Sequence, residues 1–240
     1  MRFVKQGVRL KVCDPVEEKK ESSGKSLHGV LFGTHRIRAL ICGPSGSGKT
    51  SAVLSLLLHP NGLRYANVYV FSRTLNQGKY EFLQRVLDGL EPGINYFGIG
   101  PGDNGEIEFL PPDQIRPNSI VVFDDLGTGD YEIVRQYFAF SRHFSIDVLF
   151  CCHSYVSVPK NLIRINLTMI LAFKMDLLNL KHIYDDNSIQ TDMSFDEFKN
   201  MCTTCWKGGG TSNFVLIDRD MPANGGKYRK GFDEYICMNK

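Results

Sequence analysis

The stretch Gly43-Pro44-Ser45-Gly46-Ser47-Gly48-Lys49-Thr50 restricts what this chain can fold into more than any other feature. It fits the pattern G-x-x-x-x-G-K-[ST], and its flanks are those the pattern requires. The apolar run Ala39-Leu40-Ile41-Cys42 leads into it, and Ala52 to Leu58 continue as an apolar helical segment. Glycines let the backbone curl so that successive N–H groups, together with the positive end of a helix, face a polyphosphate. Lys49 is expected to neutralise the β and γ phosphates of a nucleoside triphosphate, and the Thr50 hydroxyl to ligate Mg²⁺, with Ser51 completing the cradle. A plain Gly/Ser-rich turn is the competing reading, and the flanks weigh against it.

Such a loop needs an acidic partner, because Mg²⁺ is a hard ion that takes carboxylates while keeping several waters. Ser119-Ile120-Val121-Val122-Phe123-Asp124-Asp125-Leu126 supplies one, as an apolar strand that ends in two carboxylates. Asp124 is assigned to the metal shell and Asp125 to orienting and deprotonating an attacking water. Alone, the same run would read as a buried strand with a solvated acidic turn; the phosphate loop upstream decides between the two.

Strand-length apolar runs alternate with helical patterns along the rest of the chain. Strands are expected at 38–42, 67–71, 120–123, 147–152, 168–173 and 214–217, and helices at 49–58, 79–90, 130–142, 159–165 and 194–201. That alternation predicts an α/β fold, a central mainly parallel sheet covered by helices on both faces. Residues 14–29 are polar and mixed in charge and read as a linker, preceded by one short strand at Val8, Leu10 and Val12. The expected organisation is an N-terminal arm and linker over 1–29, the main domain over 30–220 and a basic extension over 221–240. With 42% hydrophobic and 22% charged residues the chain is not disordered or fibrous, and a net charge of +2 neither advertises nor excludes a nucleic-acid partner. No apolar run approaches the ~18 residues of a membrane span. Charges break the first residues before a signal-peptide core could form, so the chain is expected to stay inside a cell.

From about Arg36 to about Phe232 these features, in this order, resemble the FtsK–HerA division of phosphate-loop (P-loop) ATPases. The likeness is greatest to the genome-packaging ATPases of poxviruses and other double-jelly-roll DNA viruses. It rests on the loop 43–50 (Walker A), the Ile120–Leu126 run (Walker B), Ser141-Arg142-His143-Phe144-Ser145-Ile146-Asp147-Val148-Leu149-Phe150, Ser154, the Leu162–Asn166 turn and the strand Leu167–Phe173. The late Phe214–Asp218 strand and Tyr228-Arg229-Lys230-Gly231-Phe232-Asp233 complete it. The resemblance implies an additional strand between the Walker A and Walker B strands, ending at a side chain that senses the γ-phosphate. His153 holds that place where the family usually has Gln, and Asp125 stands where the division usually has Glu; for His153 a satisfied core histidine remains the alternative.

The resemblance also makes Arg142 a trans-acting arginine. Thirteen helical residues from Asp130 would carry it ~20 Å from the nucleotide of its own chain, and a cation closing a helix is the other reading. The implied activity is a Mg²⁺-dependent ATP hydrolase that drives double-stranded DNA into a preformed capsid. Its implied partners are the DNA, further copies in a homo-oligomeric ring (pentamer or hexamer) and capsid or portal-vertex proteins. Its implied place is the host cell, in cytoplasm, virus factory or nucleus, or the virion. A P-loop helicase, a nucleotide kinase and a nucleotide-gated assembly module stay open beside it.

Three features are weaker. Cys202-Thr203-Thr204-Cys205 has metal-ligand spacing but lacks a second pair, so free thiols are the default. Lys227, Arg229 and Lys230 could meet DNA phosphates or form a solvated tail. Arg73 follows an apolar strand at the expected site edge, where nucleotide contact and plain surface charge compete.

Overall fold

The computed structural model describes residues 36–90, 93–207 and 213–237 together with His28 and Phe32. The arm and linker expected over 1–29, apart from His28, and residues 208–212 lie outside the described residues.

A single nine-stranded sheet organises the described chain. Its strands are β1 (Arg38–Cys42), β2 (Asn67–Ser72), β3 (Asn95–Ile99), β4 (Ser119–Asp124), β5 (Ile146–Cys152), β6 (Met169–Phe173), β7 (Phe214–Asp218), β8 (Tyr228–Lys230) and β9 (Glu234–Tyr235). They lie in the order β3-β2-β4-β5-β1-β6-β7-β8-β9. From β3 to β6 all pairings are parallel, and β7, β8 and β9 add to one side as antiparallel strands. β5 lies between β1 and β4, which is the additional strand the resemblance implied.

Strands β1, β4 and β5 are buried along most of their length, as expected of parallel strands covered on both faces, which read as unbroken apolar runs. Helices α1 (Lys49–Leu58) and α2 (Gly78–Asp88) cover one face through Val53, Leu56, Tyr80 and Leu83. Helices α3 (Tyr131–Phe140), α4 (Leu177–Asp186) and α5 (Phe195–Cys205) cover the other through Val134, Phe138, Ile183 and Phe198. Because β1, β4 and β5 are parallel, their carboxyl ends share one edge of the sheet, where loops carrying polar chemistry can converge.

Several expected elements are corrected. Residues 159–165 form no α-helix: Leu162 takes a left-handed φ of 68°, and only a 3₁₀ turn follows at Arg164–Asn166. The segment 130–142 is an α-helix only over Tyr131–Phe140, and Arg142 stands on a separate 3₁₀ turn, Ser141–Phe144. Helix α4 and strands β3, β8 and β9 were not expected. The α4 start is fixed by Asp176, whose side chain accepts from the Asn179 amide.

Candidate functional site

The cleft opens at the carboxyl edge of β1, β4 and β5. It is a cavity of about 240 Å³ lined by Ser45, Gly46, Gly48, Lys49, Thr50, Asp124, Asp125 and His153, with Gln77 and Lys79 from the start of α2. Two glycines of the turn adopt conformations that side chains resist, Gly46 at φ 73° and Gly48 at φ 105°. Gly43 is glycine for a different reason, close approach: a Cβ there would lie 2.5 Å from Cβ of Phe173.

Within the loop, the largely buried Lys49 ammonium donates to the carbonyls of Gly43 (2.8 Å) and Pro44 (3.0 Å), and it lies 3.4 Å from Nδ1 of His153. The Thr50 hydroxyl donates to Oδ2 of Asp124 at 3.0 Å. Asp124 is only 5% exposed, and buried carboxylates require donors. The phenol of Tyr80 is a second donor to the same Oδ2. Cys151 lies beside it as well: burial pushes its thiol pKa well up, and the Asp124 carboxylate adds to that shift. Burial likewise raises the Tyr80 phenol, reinforced by Asp124, so both neighbours stay protonated.

One residue beyond β4, Asp125 turns outward, its side chain 44% exposed and its φ at 54°. A left-handed conformation at a non-glycine residue is uncommon and clusters at functional sites. His153 Nε2 stands 4.0 Å from Asp125 Oδ1, and the imidazole is 60% exposed. It is therefore not a core histidine: it lies between Lys49 and Asp125 at the mouth of the cleft.

Oxygen donors dominate the Thr50–Asp124 corner, and among the described residues no group of three or more His, Cys, Asp or Glu could hold a metal. That donor set fits Mg²⁺, which is held by one or two carboxylates plus substrate phosphates and not by a full protein cage. It does not resemble a zinc site. Cys202 and Cys205 are free thiols directed into the core beneath α5.

Arg142 is exposed at the other end of the sheet. Its charge is felt by Arg38, the first residue of β1, whose pKa is lowered by burial and then by Arg142. Arg73 is not free surface charge. Its guanidinium grips Asp130 (Nη2–Oδ2 3.1 Å, Nε–Oδ2 3.3 Å), which raises its pKa, and Asp130 accepts from the Gly127 amide at 2.9 Å. The pair thus braces the loop that carries Asp125. Two members of the late basic cluster are ion-paired, Lys227 with Asp192 and Lys230 with Glu234 at 3.1 Å, and Arg229 is buried, its Nε donating to the Gly226 carbonyl at 3.0 Å.

Sequence reasoning missed Tyr80, Lys79, Gln77 and the Arg73–Asp130 brace. Tyr80 gave no separate signal, since it falls on the same helical stripe as Leu83 and Leu87 and reads as core.

No family model matches the chain, and no curated protein matches it. Among solved structures, it is similar to the crystal structure of B204, the DNA-packaging ATPase from Sulfolobus turreted icosahedral virus. The TM-score is 0.50 at 12% identity, covering 77% of this chain and 93% of that one. The genome packaging NTPase B204 from Sulfolobus turreted icosahedral virus 2, in complex with AMP, aligns at TM-score 0.49 and 9% identity over 79% and 95% of the two chains. At such identities the likeness is one of fold, and the fold is that of a phosphate-loop NTPase.

Proposed function

We propose that this chain, a phosphate-loop NTPase by fold, is a Mg²⁺-dependent ATPase that works as a homo-oligomeric ring and translocates double-stranded DNA into a preformed viral capsid. One observation carries the reading: Lys49, Thr50, Asp124, Asp125 and His153 converge on a single cleft at the carboxyl edge of the parallel strands. The likeness in fold to a DNA-packaging ATPase supports the choice of motor over kinase.

In this reading the loop amides of Gly46 to Thr50 and the Lys49 ammonium hold the triphosphate, Lys49 exchanging its two carbonyl partners for phosphate oxygens. Thr50 and Asp124 hold Mg²⁺, which when bound supplies charge neutralisation on the β and γ phosphates. Asp125 accepts a proton from water as its oxygen attacks the γ-phosphorus in line, and the bond to the β-γ bridging oxygen breaks. His153, within reach of both Lys49 and Asp125, orients that water against the γ-phosphate. Arg142, at the far end of its own sheet, serves the nucleotide of a neighbouring copy, and capsid or portal-vertex proteins hold the ring at its place of work.

The test is ATP turnover against duplex length at constant total base pairs. A motor keeps hydrolysing along a longer track, so turnover per ring should rise with length before reaching a plateau. Turnover indifferent to duplex DNA would overturn the translocase and leave a nucleotide-gated assembly module.

A further inference from the structure

The carboxylate of Asp124 is held from two helices at once. Thr50, in the first turn of α1, and Tyr80, in the first turn of α2, both donate to Oδ2. Tyr80 is 1% exposed, and its own amide closes the start of α2 by donating to the Gln77 carbonyl at 2.9 Å. The neighbouring Lys79 reaches back across the cleft to Ser51 Oγ at 3.0 Å. The opening turn of α2 is therefore a wall of the cleft, with one side chain beneath the acid and one across the loop. A phenol has few rotatable bonds, and here the ring is fully packed, so its O–H direction is fixed. With both hydroxyl donors on Oδ2, that oxygen is tied to α1 and α2 together, and partners of this kind orient an acid that takes a metal.

We propose that Tyr80 is a positioning residue that clamps Asp124 through Oδ2 and so prepares the acid to take a divalent cation, tying α2 to cation binding. This rests on the reading of Asp124 as the cation-holding acid, and the experiment separates the two. The full chain is held with a fixed concentration of ATPγS while MgCl₂ is titrated, and the thermal unfolding midpoint is followed. Tyr80→Phe, Asp124→Asn and Leu87→Val are compared with the wild type; Leu87 lies in the same buried stripe of α2 and serves as a packing control.

Partners of metal ligands typically contribute about 10- to 100-fold to metal affinity. Tyr80→Phe is expected to need that much more Mg²⁺ for half of the stabilisation, with its affinity for ATPγS in EDTA close to wild type. Leu87→Val should lower the midpoint at every Mg²⁺ concentration without moving the half-point, which is also how Tyr80→Phe would behave if its role were packing alone. Asp124→Asn should lose the Mg²⁺-dependent rise. If Asp124→Asn loses it while Tyr80→Phe keeps the wild-type half-point, the positioning role is overturned and the cation site stands. If Asp124→Asn keeps it, the reading of Asp124 fails first.

Discussion

At the scale of single residues, the cleft separates two acids that are adjacent in sequence. Asp124 is buried beneath two hydroxyls, whereas Asp125 is turned outward by a left-handed backbone. In the proposed reaction it is environment, not residue type, that would divide holding a cation from moving a proton. Asp125→Asn keeps the shape and exposure of the side chain but cannot accept a proton. It should bind Mg·ATP as the wild type does while single-turnover hydrolysis falls about 10²- to 10⁴-fold, the range of general-base contributions. His153 makes a polar link to Lys49 and Asp125, and Gln can span the same gap. His153→Gln should retain most of the turnover and His153→Ala should lose at least about tenfold, as expected for a water-orienting hydrogen bond worth ~1.5 kcal/mol. An active Ala variant would remove His153 from the reaction. The phosphate loop and the acid pair were legible because glycine, lysine and carboxylate were each needed at one spacing. Tyr80 was not, because a helical stripe looks the same whether its tyrosine hydroxyl ends in the core or under an acid.

At the scale of elements, two contacts join strand ends to their neighbours. Gly43 leaves β1 against Phe173 at the end of β6, and its amide donates to the Cys152 carbonyl at 3.1 Å. Gly43→Ala must push these strand ends apart, an overpacking cost of about 1–3 kcal/mol. It is expected to lower the unfolding midpoint and to weaken nucleotide binding together, as read by thermal melts with and without ATPγS. Beyond the amino end of β1, the fully buried Asp147 carboxylate accepts from the Ile37 amide at 2.7 Å and faces His28 Nε2 at 3.2 Å and Arg36 at 3.8 Å. Asp147→Ala removes the acceptor of the Ile37 amide and the carboxylate that faces Arg36, and breaking a buried charge pair costs about 3–5 kcal/mol. For a chain of this size that corresponds to a fall in melting midpoint on the order of 10 °C, measured in the absence of nucleotide. Strands such as β1 and β4 were readable as unbroken apolar runs. β3 was not, because it is a half-exposed edge interrupted by Gly98. Nor was the turn over 159–165, where Leu162, Ile163 and Ile165 imitate a helical stripe while Leu162 takes a backbone angle that a helix excludes.

At the scale of the whole molecule, the nucleotide cleft and Arg142 occupy opposite ends of one sheet, because α3 returns the chain from the carboxyl end of β4 to the amino end of β5. Two charged sites so placed cannot serve one nucleotide within one chain. If Arg142 serves a neighbour, Arg142→Ala and Lys49→Ala chains, each inactive alone, should recover part of the turnover when mixed, since some interfaces then pair an intact loop with an intact arginine. Wild-type turnover by assembled Arg142→Ala alone would move the trans-acting role to another residue, and Arg164, the next arginine in the chain, is held inward by Asp186 at 2.5 Å. The sheet and the edge carrying the cleft were readable from the alternation of strands and helices. The antiparallel addition of β8 and β9 was not, because three short basic residues read as a tail until Arg229 is seen buried and Lys227 paired with Asp192.

The strand order has a consequence in time. β1 is complete at Cys42, yet its two partners are β5, which begins at Ile146, and β6, which begins at Met169. At a synthesis rate of about 5–20 residues per second, β1 waits on the order of ten seconds without a neighbour. Meanwhile β2, β3 and β4, which pair only with one another and with β5, can assemble without it. During that interval an apolar strand of the cleft is available to chaperones and to other nascent chains. ATP cannot shorten the wait, since the Gly43 amide has no strand carbonyl to anchor it until Cys152 is made. A chain released before residue 146 would contain the whole phosphate loop and still have nothing on which to build it.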